Sequence, residues 1–178
     1  MQHYSSIPVL GICAYGSGAG KTTLLTTLIP LLKEMGIRVS VIKHAHHKFD
    51  IDHPGKDSYK IREAGAVQTL VSSNKRWALM TELPASKDEN QLPELEVLLT
   101  ELDPTMADLV MVEGYREADI PKIEVFRSSL NYPLLEGTAT IAIASDTRMN
   151  SDLPVLDINQ PILIAQFIMH WLENETTK

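Results

Sequence analysis

Apolar residues fall in short runs along the chain, and the runs alternate between two periods. "IPVLGICAY" (7–15) is apolar on consecutive positions, which reads as a strand buried on both faces. "KTTLLTTLIPLLKEMG" (21–36) then repeats every three to four residues, with Leu24, Leu25, Leu28, Leu31, Leu32 and Met35 on one side. Gly36 supplies its stop, and Pro30 is an awkward interior residue that would kink it. "RVSVIK" (38–43) returns to strand, so the chain opens with a βαβ unit and a parallel sheet.

Further on the same reading gives a polar loop (44–58), a short helix (57–66) capped by Asp57 or Ser58, and strands at 67–73 and 76–83. An Asn74-Lys75 turn makes those strands a hairpin. A surface connection (84–93) leads to a helix at 93–102, with Pro93 near its first turn. Strands follow within 107–116, ending at Glu113-Gly114, and at 122–127, 140–146 and 153–158, with a loop at 132–137. The last element is an amphipathic helix (161–175) with Ile164, Phe167, Ile168, Trp171 and Leu172 as core candidates. The expected fold is α/β: a mainly parallel sheet with antiparallel hairpin additions and helices on both faces. With 178 residues and no clear linker, residues 1–178 are expected to form one nucleotide-binding domain.

Composition narrows the function little. Hydrophobic content of 44% and charged content of 22% are ordinary. The lone Cys13 falls in an apolar run and reads as a buried structural thiol. The N-terminal stretch has no basic region or cleavage site, and no run approaches a bilayer-spanning length. A cytoplasmic location without a membrane partner is therefore expected. A net charge of −7 argues against a nucleic-acid partner.

Chemistry concentrates in "YGSGAGKTT" (15–23), between the first strand and the first helix. Gly16, Gly18 and Gly20 permit backbone N–H groups to line a concavity, and Ser17 and Ala19 complete the loop. The helix start adds partial positive charge for phosphate. Lys21 can reach terminal phosphates, and Thr22, followed by Thr23, can give a hydroxyl to Mg²⁺. This is a phosphate-binding P-loop, except that Tyr15 stands where the pattern G-x-x-x-x-G-K-[ST] has its leading glycine. Gly16 is expected to take over that turn with a positive φ. "DLVMVEG" ends a buried strand in Glu113, the place of a Walker B carboxylate. Asp108, at the start of that strand, reads as a solvated end.

Four of the six histidines, His44, His46, His47 and His53, lie in one polar segment with Asp50 and Asp52. Residues 43–62 carry five Lys or Arg and three Asp, a local excess of two positive charges. Three readings stay open: an anion pocket with Mg²⁺-linked carboxylates such as Asp50, a transition-metal site, or a solvated loop. Asp146, closing "TIAIASD", is the candidate for reading guanine through two hydrogen bonds, or else a turn cap.

"GSGAGKTTLL", "VIKHAHH", "DIDHPGKDSYKIREAGA", "RWALMTE", "LVMVEGYR", "KIEVFR" and "IAIASD" occur in that order. Together they resemble the molybdopterin-guanine dinucleotide biosynthesis protein B (MobB) family, from about Ile7 to Asp157. The resemblance implies a homodimeric P-loop GTP-binding protein with weak GTPase activity. It implies an adapter for a separate guanylyltransferase (MobA-type) that joins GMP from GTP to molybdopterin. Carried over by position, Gly18, Gly20, Lys21, Thr22 and Thr23 would hold GTP and Mg²⁺, Glu113 would be the Walker B acid, and the segment of His44 would lie near the nucleotide or the pterin-bearing partner. A small P-loop kinase, with Lys43, His44 and Arg62 clamping an acceptor, and a metallochaperone GTPase using the histidines are the alternatives.

Overall fold

A computed structural model of the chain describes residues 7–45, 50–84, 93–135, 137 and 139–176. The chain divides into two compact units, one made of residues up to His44 and from Pro93 onward, the other of the segment 45–92.

The first unit is a six-stranded sheet with helices on both faces. Its strands are β1 (Val9–Cys13), β2 (Val39–Lys43), β5 (Leu109–Glu113), β6 (Lys122–Phe126), β7 (Thr140–Ser145) and β8 (Val155–Asp157). The spatial order is β2-β5-β1-β6-β7-β8, and every pairing is parallel. Alternation along β5 shows how the two faces fill. Leu109 and Met111 join Leu10, Ile12, Ile123 and Ala142 in a core beneath α1 (Lys21–Glu34) and α4 (Pro161–Thr176). Val110 and Val112 point the other way, into a smaller core with Ile42, Ile120 and the residues Leu95 and Leu99 of α3 (Leu95–Thr100). Leu28, Leu32, Ile164 and Ile168 are fully buried, each contributing roughly 1.5–3 kcal/mol of apolar burial.

Helix α1 continues through Pro30, which lies on its exposed side, and ends before Gly36 at φ +84°. An exposed proline costs α1 one backbone donor without placing that loss in the core. A 3₁₀ turn at Ser128–Leu130, not foreseen from periodicity, follows β6.

The second unit contains α2 (Asp57–Glu63) and the antiparallel pair β3 (Gln68–Ser72) and β4 (Trp77–Thr81). The hairpin is therefore a separate two-stranded sheet, not an extension of the parallel one. Ser73 N–H closes its turn on Arg76 O at 2.8 Å. The expected Asp or Ser cap of α2 is not what forms: Lys56 is the cap residue, no side chain bonds there, and Asp57 lies in the first turn. Residues 85–92 of the expected surface connection lie outside the described residues, as do His46 and His47.

The parallel sheet fixes where chemistry can gather. β1 sits between β5 and β6, and the loop leaving β1 emerges at the carboxyl edge where neighbouring connections diverge. In open α/β sheets ligands bind at that crevice. Register then brings Glu113 beside both Ile12 of β1 and Lys43 of β2.

Candidate functional site

Between Cys13 and Lys21 the chain turns from strand to helix over the sequence Ala-Tyr-Gly-Ser-Gly-Ala-Gly. Gly18 at φ +78° and Gly20 at φ +96° make the turn, and Gly20 is the residue that opens α1. These are left-handed conformations that an L side chain adopts only with strain. Gly16 is not among the residues at positive φ, so the expectation that it replaces the missing leading glycine is corrected. Its requirement for glycine is steric: a Cβ there would stand 2.6 Å from Tyr132 Cε2 and 2.8 Å from Cζ. Tyr15 also meets Tyr132, with ring centroids 5.6 Å apart. The aromatic residue in place of the usual glycine thus packs outward while the turn is made at Gly18 and Gly20.

The loop ends in groups that suit an anion. Ser17 and Gly18 are exposed, and a Cβ on Gly18 would meet nothing within 4 Å. The first amides of α1 have no intrahelical acceptors, and the helix end carries partial positive charge. Lys21 Nζ arches back to donate to Gly16 O at 3.0 Å. Ala19 is buried beneath, anchoring the loop in the core.

Beside the loop lies a compact polar triangle. Thr22 Oγ1 donates to Glu113 Oε1 at 2.8 Å. Lys43 Nζ donates to Glu113 Oε1 at 2.7 Å and to Thr22 Oγ1 at 3.0 Å. The side chain of Glu113 is only 9% exposed, whereas that of Lys43 is 50% exposed. A buried carboxylate without a partner would be destabilising by several kcal/mol, and these two donors offset that cost. The Walker B position and the Thr22 hydroxyl are therefore brought together as expected. Lys43 completes the group; in the sequence it stood out as part of a local cation excess and as an acceptor clamp in the kinase alternative, not as a partner of Glu113.

Next to it, His44 N–H donates to Glu113 O at 3.0 Å, and the His44 ring lies 5.9 Å from that of Tyr115. Gly114 at φ +95° allows this approach, since a Cβ there would be 2.9 Å from His44 Cβ.

On the other flank Arg127 Nε donates to Ala19 O at 3.2 Å, and its Nη1 is 3.9 Å from Asp146 Oδ2. Asp146 Oδ1 accepts the Ser128 N–H at 2.9 Å. That bond, aided by Arg127, holds the Asp146 carboxyl below the usual carboxylate range. Arg116 Nη1 donates to Tyr15 O at 2.9 Å, so two arginines clasp the outside of the loop. The sequence offered Arg127 only as the start of a candidate kinase lid (127–137) and gave Arg116 no role, though each follows the carboxyl end of a buried strand, where such residues are brought to the loop.

Asp50 belongs to the second unit. There Arg62 Nη2 donates to its Oδ2 at 2.7 Å and Asp52 N–H to its Oδ1 at 3.0 Å. Arg62 also reaches Glu82 Oε1 at 3.3 Å, so in this structure it is engaged by carboxylates. Among the described residues no group of three or more His, Cys, Asp or Glu side chains is arranged to hold a metal ion. Cys13 is buried as expected. Desolvation, with Glu124 nearby, pushes its thiol up to about 12. Among the described residues no helix is long and apolar enough to cross a membrane.

A parallel sheet whose first strand opens through a glycine-rich loop into a helix, with an acid ending the neighbouring strand β5, defines a P-loop NTPase-like fold. Residues 9–146 match the family described as molybdopterin guanine dinucleotide synthesis protein B, and the chain belongs to that family. It is 46% identical over 172 residues to the molybdopterin-guanine dinucleotide biosynthesis adapter protein of Escherichia coli (strain K12), covering 95% of each chain. The protein of the same name from Haemophilus influenzae is 44% identical over 171 residues, covering 96% of this chain and 92% of the relative. The fold also matches the crystal structure of Bacillus subtilis MobB with a TM-score of 0.71 at 22% identity, over 92% of this chain and 97% of the other.

Proposed function

We propose that the chain is a GTP-binding adapter in molybdenum cofactor biosynthesis, with slow GTPase activity. Its partner would be the separate MobA-type guanylyltransferase that attaches GMP to molybdopterin, and it would work in the cytoplasm. Support for the adapter role comes from the relatives' names and from family membership. The observation that carries the nucleotide reading is the hydrogen bond from Thr22 to Glu113 beside a glycine loop at a helix start.

The residues fit a Mg²⁺-bound nucleoside triphosphate. Gly18 leaves open space for phosphate oxygens, Gly20 makes the turn into α1, and the first amides of α1 would donate to the phosphates. Lys21 would exchange Gly16 O for phosphate oxygens, a strong charge-assisted contact. Mg²⁺ would neutralise phosphate charge, with Thr22 as its ligand and Glu113 orienting its water shell. Asp146 retains acceptor capacity for guanine, because a carboxylate has about four lone-pair sites and the Ser128 amide takes one. Slow hydrolysis follows from how the arginines are used. Arg127 and Arg116 bind loop carbonyls, which holds the loop instead of the group being transferred.

A second copy of the chain is the proposed partner for the β3-β4 hairpin. Leu70, Leu79 and Trp77 occupy one face of that pair and are exposed.

Calorimetry with Mg²⁺ tests the nucleotide reading. GTP should bind more tightly than ATP, and Lys21→Ala should weaken GTP binding by about tenfold or more, as loss of a charged hydrogen bond does. Unchanged GTP affinity in the variant would sink the assignment. Adding the guanylyltransferase to the titration tests the adapter role separately.

A further inference from the structure

The Lys43 ammonium lies 2.7 Å from the Glu113 carboxylate and 3.0 Å from the Thr22 hydroxyl, and those two oxygens are themselves 2.8 Å apart. On the reading above, these are the oxygens that serve Mg²⁺. We infer that Lys43 is a built-in stand-in for the metal: it holds Thr22 and Glu113 in place before Mg²⁺ arrives and competes with Mg²⁺ for that position. This rests on the nucleotide reading of the loop and adds a regulatory residue to it.

Sheet register creates the arrangement. Lys43 is the last residue of β2 and pairs directly with Glu113, the last residue of β5. Because β5 lies between β2 and β1, the lysine reaches across to the first turn of α1. The two partners differ in freedom to move. Glu113 is enclosed at 9% exposure, while Lys43 is half exposed on a flexible stem and can return its charge to water.

Chemistry makes the two cations exclusive. The Thr22 hydroxyl has one proton and two lone pairs. Its proton goes to Glu113 and one lone pair already accepts from Lys43. Mg²⁺ demands near-octahedral oxygen ligands at about 2.0–2.1 Å. A second cation held on the same hydroxyl would repel it at short range. The lysine therefore swings away when the metal binds, and the free protein keeps its buried carboxylate paired.

The test compares nucleotide affinity with and without the metal. GTP is titrated into wild type, Lys43→Met, Lys43→Gln and Lys43→Arg, in Mg²⁺ and in EDTA, and the dissociation constant in EDTA is divided by that in Mg²⁺. Removing the competing charge should raise that ratio about tenfold in Lys43→Met and Lys43→Gln, while Lys43→Arg stays near wild type. Mn²⁺ titration of the GDP-loaded proteins, followed by electron paramagnetic resonance, should rank them the same way. Circular dichroism checks folding, and Lys43→Gln keeps a hydrogen-bonding head if Lys43→Met does not fold. A ratio that stays put overturns the inference. That includes the case where affinity falls equally in both conditions, which would make Lys43 an ordinary phosphate contact. Wild type that binds no GTP in either condition overturns the loop reading and this inference with it. Wild type that binds with an unmoved ratio in the variants overturns only the role of Lys43.

Discussion

Two glycines of the loop, Gly16 and Gly18, are needed for different reasons, and the difference is measurable. Gly18 has a positive φ and open space around it, so an alanine there meets backbone strain of about 1 kcal/mol. Gly16 has no such angle but faces the Tyr132 ring at 2.6–2.8 Å, so an alanine there must displace the end of that exposed side chain, at a cost of about 0.5–1.5 kcal/mol if the ring leaves its rotamer. In denaturant melts Gly16→Ala should be destabilising, and adding Tyr132→Ala should remove most of that effect. The same Tyr132→Ala background should leave the cost of Gly18→Ala unchanged. A Gly16→Ala cost that persists without the tyrosine would place the constraint in the backbone. Sequence spacing could name Gly16 as part of the loop but not its reason, because Tyr132 lies far along the chain. Thr22 and Glu113 were legible because strand ends and helix starts are local signals. Lys43 was not assigned its place, because its partner depends on which strand lies between β2 and β1.

Strand order also explains an anchor at the opposite end of β2 and β5. Asp108, expected to be a solvated strand end, accepts from Arg38 N–H at 2.8 Å, Nε at 3.0 Å and Nη2 at 2.7 Å. These bonds, the side-chain ones first, lower its carboxyl to about 2, against a usual value of 3.8. A lowered folded-state value means stability that is present above the unfolded value and lost as pH falls through the folded one. The melting temperature of Asp108→Asn should therefore lie below that of wild type at pH 7. The gap should close progressively as pH falls from about 4 towards 2. A gap that is constant with pH would mean that the clasp works without the charge. Periodicity located the eight strands and four helices of the described residues, since each buried face imposes its own repeat. It could not show that β5 inserts between β1 and β2, or that the hairpin stands as its own sheet, because pairing between distant segments leaves no local mark.

At the level of the whole molecule, length suggested one domain, and the contacts resolve two compact units within it. The smaller one poses a problem of burial. A two-stranded hairpin is marginal by itself in water and needs one face covered. Pairs directly opposite in an antiparallel ladder share a face, so Leu70 with Leu79, and Ser72 with Trp77, line the same side. On that side Leu70 is 59% exposed, Leu79 40% and Trp77 67%. The other side carries Thr69, which is buried, Met80 and Ala78, which are half-buried, and Val71, which is 43% exposed, so the larger apolar side chains left open are those of Leu70 and Trp77. An exposed apolar ladder of this kind marks an interaction surface. Closed two-fold pairing is the commonest way for identical chains to cover such a patch, since one surface serves both copies. Sedimentation of the purified chain should therefore give a dimer, and Leu70→Ser with Trp77→Ser should shift it to monomer at the same concentration. Both residues are exposed in the single chain, so circular dichroism should keep the wild-type helix and strand signal. GTP affinity per chain should also hold, because the loop residues belong to the other unit. A dimer that survives the double substitution would move the self-association surface elsewhere and leave this face to another partner.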